Sequence, residues 1–323
     1  MKKYLIECDF ELCSSHGIQQ VGLTGGMVYK LDEIIDFDCP LGYQNTAVSI
    51  VSSNESVFKV EIKSLSLIEG KVQEEYIQRL AKYLSFLVAK EERNVAYGMP
   101  YIKVNYDSFK VMQVKDENNA YIDNDLVLKE SINMTDSLSI TGNTNIKLKE
   151  YIQNINYNEL LDFYFSGLKA ESEKSKFFHW FMIIESLEGC ERYSEMFPKG
   201  TMFTEAEKEK IKSLANTFSN SNGKNNALMS VLAKTSASRA EKLFEFISAL
   251  GIKELNNMHK INPVTLKVIQ SIINARNRLF HRGSKFSTKV LWCEVFPLVT
   301  KIVELTTNNE SCLMAMKCEQ TCS

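Results

Sequence analysis

The apolar residues of this 323-residue chain change their spacing once, at about residue 145, and no other feature restricts the fold so strongly. Before that point the clearest segment is 57–63, where Phe58, Val60 and Ile62 alternate with Lys59, Glu61 and Lys63. A period of two belongs to a strand with one face in a core and the other in water. Segments 3–8, 47–51, 101–105, 109–114 and 126–128 read as further strands. One helix interrupts them, Val72 to Lys90, with Tyr76, Leu80, Leu84 and Leu87 on one side.

"SITGNTN", Ser139 to Asn145, reads as a turn-rich joint, and beyond it the spacing becomes helical as far as about Thr307. Asn158 to Ala170 is one helix, and Lys174 to Glu188 is a second, apolar nearly all round and therefore central. Thr204 and Glu207 form a capping box that opens a third, reaching Phe218. Ser219 to Asn226 is then a loop, and the next helix runs to Leu250 with Gly251 as its stop. Asn262 as N-cap, Pro263 at the first helical position and Gly283 as stop frame another. A last helix, Ser287 to Thr307, should kink at Pro297. The expected fold class is α+β: a mixed, sheet-containing unit over 1–145, an antiparallel helical bundle over 146–307 and a flexible tail over 308–323.

Several function classes lack support. The longest apolar run, Phe177 to Ile184, is interrupted by His179 and is far shorter than the roughly 20 residues that span a membrane. After Lys2 and Lys3 only Tyr4, Leu5 and Ile6 precede Glu7, too little for a signal peptide, so a cytoplasmic protein is expected. The eight cysteines contain no CxxC pair, and Cys312, Cys318 and Cys322 stand in a polar tail without a nearby histidine; no metal and no cofactor are expected. "GLTGG", Gly22 to Gly26, lacks the spacing of a phosphate loop and reads as a turn or bulge. There is no GxSxG elbow, HExxH pair or EF-hand loop. His16 and His259 fall in loops without a partner pattern, and His179 reads as a satisfied core residue.

Net charge is −2, unevenly placed. Between Lys260 and Lys301 stand eight basic residues and one acid, Glu294, so this stretch carries +7 and the remainder −9. Such a segment suits a phosphate-bearing ligand, or else a helical pair whose cations face water.

Two charges sit where the apolar pattern calls for hydrocarbon. Leu266, Ile269, Ile272, Ile273, Leu279 and Phe280 make one stripe, and Arg276 falls inside it, four after Ile272 and four before Phe280. On the central helix Glu185 lies among Phe178, Phe181, Met182, Ile184 and Leu187. Each charge costs free energy there unless it finds a partner, so Glu185 and Arg276 are expected to meet across the core. A purely structural ion pair would satisfy the same pattern. Beside the apolar stripe run Gln270, Asn274, Asn277 and His281, neutral groups that suit a partly dry surface.

The string Arg276-Asn277-Arg278-Leu279-Phe280-His281 resembles the Rx4-6H signature of the HEPN superfamily, small helical bundles common in bacterial toxins and antiphage systems. Its place near the end of a late helix, and an acid on an earlier apolar helix, fit that resemblance. The layout of a sheet-containing domain before the bundle is similar to the ApeA-type HEPN arrangement. The resemblance implies a metal-independent endoribonuclease that acts as a homodimer on RNA, with two copies of the motif facing each other. On this chain it makes His281 the general acid or base, Arg276 the group that stabilises charge on the scissile phosphate and Asn277 the group that orients the imidazole or contacts the ribose, while Glu185, matched to Arg276 by the two misplaced charges, would hold the guanidinium in one orientation. Arg278, Arg282 and Lys285 become auxiliary phosphate contacts. A phage or host trigger would bind the N-terminal domain. The chemistry suits these residue types, because an RNA 2′-hydroxyl attacks its own phosphate and the protein need only move protons and neutralise charge. Two other readings stay open: a non-catalytic HEPN module that binds nucleotide or RNA, and a helical oligomerisation domain.

Overall fold

The computed structural model describes residues 3–15, 27–30, 35–38, 46–52, 57–64, 70–91, 99–114, 142–145, 158–198, 203–215, 222–232, 237–257, 260–282 and 287–308. The fold is mixed α+β. Strands β1 (Lys3–Ser15), β3 (Ile35–Asp38), β4 (Thr46–Ser52), β5 (Val57–Ser64) and β6 (Met99–Val114) form one antiparallel sheet in the order β3-β4-β5-β1-β6. Ile6, Cys8 and Phe10 of β1 join Phe58, Val60 and Ile62 of β5 on the buried face, as the alternation requires. On the opposite face Lys59 lies 3.5 Å from both Glu7 and Glu61.

The two strands expected over 101–105 and 109–114 are one strand, β6. Its register against β1 slips between Glu7 and Asp9, from Lys110 to Asn105, so that Tyr106 to Phe109 bulge out. Ser108 secures the bulge: its Oγ accepts from the Asp9 amide at 2.7 Å and donates to the Asn105 carbonyl at 2.8 Å. The expected joint is corrected as well. Gly142–Asn145 is a strand, β7, paired in parallel with β2 (Met27–Lys30). The segments 16–26 and 126–128, His259, and the tail from 309 with its three cysteines lie outside the described residues.

Helix α1 (Gly70–Glu91) covers the sheet with Tyr76, Ile77, Leu80, Leu84 and Leu87, all buried. Its other side meets α2 (Leu160–Lys169) and α10 (Phe296–Asn308). Phe86 packs edge-on against Tyr164 at 5.3 Å, Lys82 reaches Asp162 at 2.5 Å, and Lys90 reaches Glu304 at 3.4 Å. The apolar core is therefore continuous from the sheet through α1 into the helices, across the division expected near residue 145.

The central helix of the second half is α3 (Glu173–Glu188), capped by Ser172 and buried through Phe177, Trp180, Phe181, Ile183, Ile184 and Leu187. Trp180 packs on Phe296 at 4.9 Å and on Trp292 at 5.6 Å, and its Nε1 donates to the Tyr164 carbonyl at 3.2 Å. Gly167 lets α2 approach this indole: a Cβ there would stand 2.1 Å from Trp180 Nε1. Lys176, also on α3, is fully buried. Its Nζ donates to Ser15 Oγ of β1 at 2.8 Å and to the Gly167 and Leu168 carbonyls at the end of α2, at 3.3 and 3.1 Å. Burial pushes its pKa down from 10.5 to about 8, against the opposing pull of Glu173.

A short helix α4 (Glu191–Met196) follows, and α5 (Glu205–Ala215) opens on the expected box, with the Thr204 amide donating to Glu207 Oε2 at 2.8 Å. The segment expected as a loop over 219–226 and then one helix to Leu250 is resolved differently. Helix α6 (Asn222–Leu232) already begins inside the supposed loop, and α7 (Arg239–Ala249) starts afresh at a second capping box, Ser238 with Glu241. Gly251 ends α7 with φ +82°, a conformation that favours glycine.

The start of the next helix is also corrected. Asn262 and Pro263 belong to strand β9 (Lys260–Pro263), paired with β8 (Glu254–Asn257). Helix α8 (Leu266–Arg282) is opened instead by Thr265, whose Oγ1 accepts from the Val268 amide at 3.3 Å. The last helix runs from α9 (Thr288–Val290) through a π-helical stretch, Leu291–Val295, into α10. There the Phe296 amide donates to the carbonyl five residues back, Leu291. This wider turn comes just before Pro297, which has no amide to donate and would crowd the carbonyl four residues behind it.

Candidate functional site

Helices α3, α7 and α8 bring four charges to one place. Arg276 enters from the middle of α8, beside the buried Ile272, Ile273 and Ala275. Its Nη2 donates to Glu185 Oε1 at 3.2 Å, the meeting expected from the two misplaced charges. Arg239, which the sequence reading passed over, donates to the same oxygen at 3.3 Å. It also grips Glu188 with a two-pronged fork, Nε to Oε1 at 2.7 Å and Nη2 to Oε2. The Glu188 bonds, together with Glu185, hold the Arg239 guanidinium firmly in its charged form, against partial burial.

Aromatic rings wall this quartet. The Arg276 guanidinium carbon lies 5.1 Å from the Phe280 ring centre and 5.9 Å from that of Phe181, and that of Arg239 lies 5.5 Å from Phe181. Such contacts suit a weakly hydrated, planar cation better than an ammonium. Glu185 is therefore the hub that fixes two guanidinium planes, and Arg276 is about three-quarters enclosed while its pair remains open to solvent on one side. Two carboxylates balance two guanidiniums, so the quartet itself adds no net charge.

The other expected residues fall around this centre in different ways. Asn277 and Arg278 are exposed on α8, as are Gln270 and Asn274, so the amide row faces solvent in the single chain instead of a partly dry surface. His281 and Arg282 occupy the last positions of α8, four residues after Asn277 and Arg278, and Lys285 lies outside the described residues. A helical spacing of four places Asn277 and His281 on one face of α8. Phe280 does not complete the buried stripe. It is 44% exposed and lies 5.7 Å from Phe178 of α3, itself 42% exposed. His179 is half-buried instead of enclosed; it meets Phe178 edge-on at 5.5 Å, and burial lowers its pKa.

One sequence signal for Arg239 existed. It occupies the first turn of α7, where the helix dipole disfavours a cation, and a residue so placed is held there by something else. Among the described residues no group of three or more metal-ligating side chains occurs, and no helix is long and apolar enough to cross a membrane. Comparison with known protein families, with curated proteins and with solved structures returns no match.

Proposed function

We propose that this chain is a metal-independent endoribonuclease of the HEPN type, acting as a homodimer in defence or growth arrest. The observation that carries the reading is the Glu185 hub. The arginine of the R-N-x-x-x-H string is oriented by a carboxylate from the central helix, on the same α8 that carries Asn277 and His281. In this reading His281 transfers the protons, Asn277 orients the imidazole or the ribose, and Arg276 stabilises charge on the phosphate as the 2′-hydroxyl attacks. Arg278, Arg282 and Lys285 add contacts to flanking phosphates, and the sheet unit receives the trigger.

The test is cleavage of RNA by the purified chain in the presence of EDTA. The expected products carry 2′,3′-cyclic phosphate ends, and His281→Ala removes cleavage while leaving the fold intact. Cleavage that persists in His281→Ala overturns the assignment. A second reading, a HEPN-type module that binds RNA or nucleotide without cutting it, is favoured by the charge compensation within the quartet. Binding without turnover would select it.

A further inference from the structure

Phe178 and Phe280 are an unusual pair. Each keeps more than two fifths of its surface in water although they come from different helices and meet at 5.7 Å with their planes inclined by 39°. Burying both rings would have been easy for a core this rich in aromatics. Instead they stand at the surface next to Arg276, whose guanidinium lies 5.1 Å from the Phe280 ring.

What surrounds the rings identifies their occupant. Lys174, one turn before Phe178, is exposed, and so is Asn277, one turn before Phe280 on α8. The other large exposed apolar side chains described in the second half, Met229 and Ile261, stand on α6 and β9. The rings are thus a small aromatic platform flanked by Lys174, Asn277 and the Arg276 guanidinium, and Phe280 belongs to the stretch that carries +7. A protein partner of ordinary kind would need a wider apolar patch. A nucleic acid strand needs this mixture: a flat face for a base, cations for its phosphates and amides for its edges.

Resting on the proposed function, we infer that Phe178 and Phe280 stack an unpaired base of the RNA beside the Arg276 guanidinium, so that the strand must be single at the site. A base in a duplex has both faces covered by its neighbours and cannot use the platform without leaving the stack. The pair therefore selects single-stranded segments, loops and bulges, and it places the phosphate next to the stacked base within reach of the quartet.

The experiment uses the full chain and a 12-nucleotide 2′-O-methyl oligonucleotide, which lacks the attacking hydroxyl, with one 2-aminopurine whose fluorescence falls on stacking. Phe178→Leu keeps apolar bulk and removes the ring from a helix other than the one that carries Arg276; Phe280→Leu is the second variant. The expected result is that either change weakens single-strand binding by about tenfold, within the range a stacked base contributes, and relieves the quenching. The wild type is expected to bind a blunt duplex of the same sequence more weakly, with no difference between variants. Unchanged affinity and quenching in both variants, with the wild type still cutting RNA, overturns the platform and leaves the nuclease reading in place. A wild type that neither binds nor cuts single strands overturns both. If the variants instead convert a dimer to a monomer in sedimentation velocity without RNA, the rings cover a second copy and the inference falls.

Discussion

Replacing Lys176 by methionine keeps most of the buried stem and removes the amine, and the consequence should depend on pH. In the folded chain the amine releases its proton near pH 8, and in the unfolded chain near its ordinary value of 10.5. Between those values the unfolded chain holds one more proton, so the stability of the lysine protein rises with pH there relative to a variant that does not titrate. The separation amounts to roughly 3 kcal/mol over the full window, and about 2 to 3 kcal/mol between pH 7 and pH 10. Against this stands the loss of the donor to Ser15 Oγ and to the Gly167 and Leu168 carbonyls. The serine hydroxyl retains the Met99 carbonyl at 3.4 Å, but two buried carbonyls lose a partner, at about 1 to 3 kcal/mol each. At pH 7 these effects nearly cancel, and Lys176→Met should match the wild type within about 1 kcal/mol. At pH 10 it should be less stable by about 3 kcal/mol. Urea unfolding followed by fluorescence reads both states, because Trp180 and Trp292 are buried in the fold. A stability difference that stays constant from pH 7 to pH 10 refutes the reasoning, since it means the amine is not desolvated.

Two further outcomes are expected. Gly167→Ala forces a methyl group against Trp180 and should lower stability by about 2 kcal/mol, seen as a drop in Tm, because the indole is fixed by Tyr164, Trp292 and Phe296; an unchanged Tm would show that α2 can shift. Glu185→Gln removes the charge shared by Arg239 and Arg276, and its effect on stability should stay within about 1 kcal/mol, since the groups are partly solvated. On the proposed function RNA cleavage should nevertheless fall at least tenfold, and unchanged turnover would show that the hub does not position Arg276.

Much of this arrangement was legible in the residues, and the exceptions have physical causes. Strand β5 and helix α1 announce themselves because each buries one repeating set of side chains, and helix α3 because apolar residues stand nearly all round it. Glu185 and Arg276 could be matched because each was anomalous on its own helix. Pro263 misled because the same residue serves a helix start and the end of an edge strand, and the choice between them depends on pairing with β8, which the local pattern does not contain. The break between α6 and α7 was obscured by apolar spacing that ran across it, although Ser238 and Glu241 carried the capping signal. Lys176 and the exposure of Phe280 could not be read at all. Ser15 of β1 stands 161 residues from Lys176, and Phe178 of α3 is likewise remote from Phe280, so only the assembled fold decides whether such a side chain is enclosed or left in water.

The seat of Lys176 also bears on how such a chain can be divided or recombined. Its hydroxyl partner belongs to the sheet and its carbonyl partners to the helical half, so cutting between them takes away the Ser15 acceptor and uncovers the apolar side chains that α2 and α10 pack on α1. A helical half expressed alone should be insoluble or loosely folded, and one grafted onto a foreign sheet would need an oxygen supplied at the place of Ser15. The two halves are soldered, not hinged, because one apolar interior runs through both.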